Sequence, residues 1–174
     1  GMVMAKASTL FEIMSKDKVD PDEMMFHMNN DLYQTKTAGM FVTCILGEFD
    51  LVSEEIRWVN AGHQPALIRT QDGKYSEYIS SSTPLGVIKH KDKSVYKLEK
   101  SKLSSSRFYV FTDGLSESLD KNGDEIGVEG SIKIIENNFN TDLKKQLKDV
   151  TSEVVKVAGG KNLSDDLTLV GLGN

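Results

Sequence analysis

Cysteine is nearly absent: Cys44 is the single one in 174 residues. One thiol excludes an intrachain disulfide and fits a reducing cytoplasm. Cys44 lies inside Phe41-Val42-Thr43-Cys44-Ile45-Leu46. It reads as a small buried hydrophobe there, with a reactive thiol as the sharper alternative. No apolar run approaches the roughly 20 residues of a membrane span, and no signal peptide is visible. Long basic runs are missing too, and the formal net charge is −5. That disfavours nucleic acid or an anionic membrane surface as the main partner. There is no repeat, linker or low-complexity tract. What is present, 39% apolar and 27% charged residues, is the make-up of a globular chain. Its length suits one domain, spanning 1–174, with a sizeable core. Gly1 ahead of Met2 reads as the remnant of a cleaved tag and takes no part in the fold reasoning.

Helical periodicity predicts a first helix over 3–16, with Val3, Ala7, Leu10, Phe11 and Met14 on one face. Asp20-Pro21-Asp22-Glu23 is a helix start, with Asp20 as N-cap and Pro21 at the first position. This second helix runs to about Lys36 with Met25, Met28 and Leu32 on one side. All seven methionines fall in the first 40 residues. They read as core fillers, or else as an adaptable partner surface. Strands are predicted over 40–49, 55–60, 65–70, 74–79, 94–99 and 107–112, with a hairpin turn at Gln71-Asp72-Gly73. Helices over 127–139 and, capped by Thr141-Asp142, 141–158 follow; Gly159-Gly160 ends the second. A last strand covers 167–172. Runs of strands separate from runs of helices imply an α+β fold with antiparallel sheet.

Two acidic motifs flank apolar strands. Phe108-Tyr109-Val110-Phe111-Thr112 runs straight into Asp113-Gly114, and Ser164-Asp165-Asp166 opens Leu167-Thr168-Leu169-Val170. Strand ends are rigid, so a carboxylate there is aimed. Hard divalent cations such as Mg²⁺ and Mn²⁺ take a few aimed carboxylates plus waters. Asp113 and Asp165 would converge if their two strands are neighbours. Each motif alone is an ordinary turn or loop. So are Asn60-Ala61-Gly62-His63-Gln64-Pro65, with His63 as a loop residue, and Ser82-Thr83-Pro84-Leu85-Gly86-Val87.

Taken in order the motifs become specific. Ala-Gly-His-x-Pro, Pro-Leu-Gly-Val, Thr-Asp-Gly-Leu-x-Glu, Gly-x-x-x-Gly at Gly123 and Gly127, and Asp-Asp-x-Thr-Leu-Val occur in this sequence and spacing. The set resembles the SpoIIE/RsbU-type branch of the PPM (PP2C-like) metal-dependent serine/threonine phosphatases, over nearly the whole chain. The resemblance implies a sandwich of two antiparallel β-sheets flanked by helices. It also implies a two-metal centre, Mn²⁺ or Mg²⁺, whose bound water attacks a phosphoserine or phosphothreonine. By motif, Asp113 and Asp165 match metal ligands and Asp166 a supporting position. Gly114 lets the backbone approach the site. His63 sits in a family motif, either shaping its loop or with a chemical role left open. The implied partner is a phosphorylated small regulatory protein, such as an anti-sigma-factor antagonist in a bacterial partner-switching pathway.

One element of the family pattern has no counterpart. Such phosphatases carry Gly-Asp-x-x-Gly-His-Gly before their first long helix, and its Asp bridges both metals. Here Met2-Val3-Met4-Ala5 already resembles the helix start that follows that motif. The expectation is a domain lacking its N-terminal segment, comprising about three quarters of the whole. An internal Met taken as the gene start, a fragment, or a natural degenerate member would each account for it. Two consequences are expected: weak metal binding with poor turnover, and self-association through the N-terminal helices or open sheet edges. The competing function is a catalytically dead phosphatase-like module that binds the regulator. The blandest reading is an α+β domain with coincidental motifs.

Overall fold

The computed structural model of the chain describes residues 2–35, 39–159 and 165–173. Gly1, Lys36, Gly160 and Ser164, named above, lie outside the described residues. Helices α1 (Met2–Lys16) and α2 (Pro21–Gln34) come first. Strands β1 (Cys44–Asp50), β2 (Glu55–Ala61), β3 (Ala66–Thr70), β4 (Tyr75–Tyr78), β5 (Glu99–Lys102) and β6 (Ser106–Phe111) follow. Then come α3 (Asp113–Ser116), α4 (Gly127–Asn137), α5 (Leu143–Val157) and β7 (Leu169–Gly173). The expected α+β class is found: the described residues form two antiparallel sheets, of order β1-β2-β5 and β4-β3-β6-β7, with five helices. No described helix is long and apolar enough to cross a membrane.

The chain forms two compact units. In the first, residues 1–65 and 79–102, helix α2 lays Met24, Met25, Met28 and Leu32 against Leu46, Val59 and Ala61. These α2 methionines are core residues, whereas Met4 and Met40 are more than half exposed. Ala7 is buried as predicted, but Phe11 is 47% exposed and leaves the inward face of α1. Cys44 is half-buried, and loss of solvation pushes its thiol up to about 11, so it stays protonated and unreactive at neutral pH.

Two local readings are corrected. Asp20 makes no side-chain cap bond at α2. Its carboxylate lies 3.1 Å from Arg57, which also holds Glu48 at 2.6 Å. The strand expected over 94–99 is a 3₁₀ turn, Lys93–Val95, capped by the Asp92 side chain. The strand comes later, at β5, pairing Trp58 with Glu99 and Glu55 with Lys102. Glu-Lys-Ser-Lys has no apolar face, so periodicity passes over it; charge on an edge strand also discourages stray pairing.

The second unit comprises residues 66–78 and 103–174. Here α4 and α5 pack Ile134, Ile135, Val150 and Val154 against Leu67, Tyr109 and Phe111 of the sheet. The predicted hairpin is present, with Gly73 in the left-handed region (φ +81°) that the turn requires. Asp142 caps α5 through Lys145 N–H at 3.1 Å. Phe139 lies past the end of α4 and carries the guanidinium of Arg69 over its ring at 3.7 Å.

Arg69 is 8% exposed and grips Glu136 through Nε and Nη2 at 2.7 and 2.8 Å. The Tyr75 hydroxyl donates to the same carboxylate at 2.9 Å. The Arg69 hydrogen bonds hold the Glu136 carboxyl below its ordinary value. A depressed carboxyl contributes stability that is complete above the unfolded pKa, about 4.3. That stability is lost as pH falls through the folded value. Glu136→Gln is therefore expected to reduce the loss of stability on acidification from about pH 5 to 3. Urea unfolding across that range checks it, and superimposable pH profiles would refute it.

Candidate metal centre

Strand β6 pairs antiparallel with β7, Phe111 facing Leu169. The end of β6 and the start of β7 are thereby side by side, which places Asp113 and the Asp165-Asp166 pair at one end of neighbouring strands. The condition set for the two motifs, that their strands be neighbours, is met within a single unit.

A threonine clasp fixes the junction. The Thr112 hydroxyl donates to the Asp166 carbonyl at 2.9 Å and accepts from Thr168 N–H at 2.9 Å. The main chain adds Thr112 N–H to the Thr168 carbonyl at 3.0 Å. Thr112 precedes α3 but makes no helix cap with its side chain; the hydroxyl is spent across the strands instead. Gly114 is buried beneath this contact. A Cβ there would lie 2.8 Å from the Asp166 carbonyl carbon and 3.1 Å from Leu167 N, both backbone atoms that cannot swing aside. Only glycine admits so close an approach.

The three aspartates are exposed. Asp113 Oδ1 accepts from Gly114 N–H at 3.0 Å, and Asp165 Oδ1 from Asp166 N–H at 2.7 Å. One oxygen of each is thus tied to the backbone, which orients the carboxyl and leaves the other oxygen available. All donors are hard oxygens, the type that suits Mg²⁺ or Mn²⁺. The number falls short: among the described residues no group of three or more His, Cys, Asp or Glu is arranged to hold a metal ion. The donors match such a cation in kind but do not complete a two-metal set.

His63 belongs to the first unit. Asn60 clasps its loop, accepting from His63 N–H at 2.9 Å and donating to the His63 and Gln64 carbonyls at 3.3 and 3.0 Å. Gly62 has φ +67°, and Pro84 sits where its Cβ would be, so the Gly-His and Thr-Pro-Leu-Gly motifs interlock. The latter loop is bridged by Leu85 to Val42 and held on α2 by Asn29, which is fully buried and bonds Gly86 and Ile88. Asn29 was missed by sequence reasoning because an Asn on a helix ordinarily reads as a solvent-facing residue. Thr112 had a signal, its place directly before Asp-Gly, but its role depends on a partner far along the chain.

The family model for Stage II sporulation protein E (SpoIIE) matches residues 1–173. The chain belongs to the SpoIIE family. Phosphoserine phosphatase RsbU of Bacillus subtilis is 22% identical over 171 residues, 97% of this chain and 50% of RsbU. The chain thus spans about half the length of that relative. Among solved structures, the SiaA-PP2C domain of Pseudomonas aeruginosa superposes with a TM-score of 0.80 at 14% identity, over 99% of this chain and 67% of that one. The manganese-presoaked phosphatase domain of SpoIIE from Bacillus subtilis gives 0.64 at 19%, over 95% and 70%. The fold of this SpoIIE-family chain is therefore PP2C-like.

Proposed function

We propose that this chain is a single phosphatase domain that removes phosphate from serine or threonine of a phosphorylated regulatory protein, of the anti-sigma-factor-antagonist type, in the cytoplasm. The observation that carries the reading is the Thr112 clasp, which gathers Asp113 and the Asp165-Asp166 loop at one strand end. RsbU, a phosphoserine phosphatase by name, supports the reaction class.

In this reading Asp113 and Asp165 are the carboxylates that hold Mn²⁺ or Mg²⁺. Asp166 supports them through its carbonyl on Thr112, Gly114 keeps the two loops in contact, and His63 shapes its own loop. A divalent cation bound there supplies a water of lowered pKa and offsets phosphoryl charge. Because the donor set is short of a two-metal centre, the 174-residue polypeptide by itself is expected to bind metal weakly and turn over poorly. A binding module without catalysis is the second reading, favoured by the same shortfall.

Calorimetric titration with Mn²⁺ is expected to give a dissociation constant of roughly 1 mM or weaker. Asp113→Asn and Asp165→Asn should each remove that binding without loss of stability. Robust Mn²⁺-stimulated hydrolysis of a phosphoprotein by this polypeptide would overturn the weak-turnover part. Unchanged binding in both variants would overturn the site. Self-association through β1, paired on one side only among the described residues, belongs to the same proposal; a clean monomer by light scattering at high concentration would count against it.

A further inference from the structure

The chain holds one Asn-Gly pair, Asn122-Gly123, in the segment between α3 and α4. Asp120 N–H on the Asp124 carbonyl at 2.8 Å and Gly123 N–H on the Asp120 carbonyl at 3.1 Å close a turn there. Asp in the first place and Gly in the fourth is the composition of a type I turn. Residues 121–125 are all exposed. The backbone nitrogen that follows an asparagine can close a five-membered ring on the side-chain carbonyl carbon. A side chain on the following residue obstructs that approach. Gly123 has none, and nothing lies within 4 Å of the place its Cβ would take. The other described asparagines lack this combination. Asn29, Asn30 and Asn137 are in helices, and Asn60 lies in β2 at 4% exposure. Asn138 and Asn140 precede Phe139 and Thr141, which carry side chains.

Asp120 works against this ring closure. Its Oδ1 accepts from Asn122 N–H at 2.7 Å and from Asp124 N–H at 3.1 Å, and its Oδ2 accepts from Asn122 Nδ2 at 3.1 Å. Backbone hydrogen bonds, that from Asp124 foremost, hold the Asp120 carboxyl below its ordinary value, so it stays charged at neutral pH. The Asn122 amide and the Gly123 nitrogen are both tied to Asp120, and the ring closes only when both let go. These bonds lie at an exposed turn, where local opening takes little free energy. The segment is also tied to the body of its unit. Ile126 N–H bonds the Ser118 carbonyl at 2.9 Å, and the Ser118 hydroxyl donates to the Gly114 carbonyl at 2.6 Å.

We propose that Asn122 is a site of spontaneous deamidation, with the Asp120 clasp as its brake. The Gly123 nitrogen bonds to the Asn122 Cγ, the Cγ–Nδ2 bond breaks, and Nδ2 leaves as ammonia with the proton that Gly123 gives up. Solvent water then opens the succinimide at either carbonyl, giving aspartate or isoaspartate. Aspartate adds a charge between Asp120 and Asp124; isoaspartate adds a methylene to the main chain joining Ser118 to Ile126. The chemistry does not depend on the phosphatase reading. Prolonged incubation of the full chain in mildly alkaline buffer, followed by peptide mapping with mass spectrometry, tests it. The peptide containing residue 122 should gain the mass of an amide-to-acid change ahead of every other asparagine peptide. Part of the product should be isoaspartate, which direct hydrolysis of the side chain cannot give. Asn122→Gln should abolish the change, since its ring would have six members. Asp120→Ala should accelerate it about fivefold or more. A synthetic peptide of residues 118–126, which lacks the folded clasp, should react faster than the chain by a similar factor and serves if the alanine variant misfolds. An Asn122 that stays an amide while the peptide converts, or that yields aspartate alone, overturns the site. Equal rates in the parent chain, the Asp120→Ala variant and the peptide overturn the brake.

Discussion

Gly114→Ala is expected to lower stability by about 2–3 kcal/mol and to abolish metal binding at the candidate centre. Two effects oppose each other here. Gly114 lies in α3 without a positive φ, and alanine in a helix is favoured over glycine by about 1 kcal/mol. Against that, the new methyl would stand 2.8 Å from the Asp166 carbonyl carbon. The obstacle is main chain, so relief requires moving the Asp165-Asp166 loop. Moving that loop breaks the Thr112–Asp166 and Thr112–Thr168 bonds that hold β6 to the start of β7. Sterics therefore prevail over propensity. Thermal melting and Mn²⁺ titration read both consequences. An alanine variant as stable as the parent, with unchanged metal affinity, would show that the two motifs are not locked together.

A comparable loss is expected for Gln146→Leu, about 3 kcal/mol, although Leu is apolar and the site is fully buried. Gln146 is the centre of a satisfied polar network. Its Oε1 accepts from Arg107 at 2.6 Å and from the Tyr109 hydroxyl at 2.9 Å, while Nε2 donates to the Ile135 carbonyl at 3.0 Å. Leucine leaves three buried partners short of a bond, each a cost of about 1–3 kcal/mol if nothing replaces it. For a chain of this size that corresponds to a melting point lower by roughly 6–12 °C. Gln146→Glu keeps both acceptor bonds and adds charge beside Arg107, but it turns the donor to the Ile135 carbonyl into a second acceptor facing that oxygen, so only two of the three bonds survive. Keeping the Arg107 and Tyr109 bonds, it should still cost less than leucine. Urea unfolding of the two variants decides: equal losses would mean that packing, not hydrogen bonding, sets the value of this position.

Much of the candidate site was legible because its residues stand in short, ordered motifs. Asp113, Gly114 and Asp165 were placed by their positions at strand ends, and the ordered motif set pointed to the family that the SpoIIE match shows. What escaped were residues whose meaning is set by distant partners. Asn29 reads as a helix-surface residue until Gly86 and Ile88 are brought onto it. Asp20 reads as a cap until its carboxylate is found on Arg57 rather than on a helix N–H. β5 reads as nothing, since Glu99-Lys100-Ser101-Lys102 carries no period and owes its extended form to pairing with β2.

By itself the sequence determined the order of helices and strands apart from β5, the turns at Gly73 and Gly62, and the types of side chain offered to a cation. These depend on spacing, φ preference and donor chemistry, all local properties. Only the tertiary structure decided that the two aspartate motifs meet. Thr112 and Asp166 are 54 residues apart, and no local preference reaches that far. Their contact follows from β6 choosing β7 as its neighbour, a choice made by the packing of α4 and α5 on the sheet that both strands share.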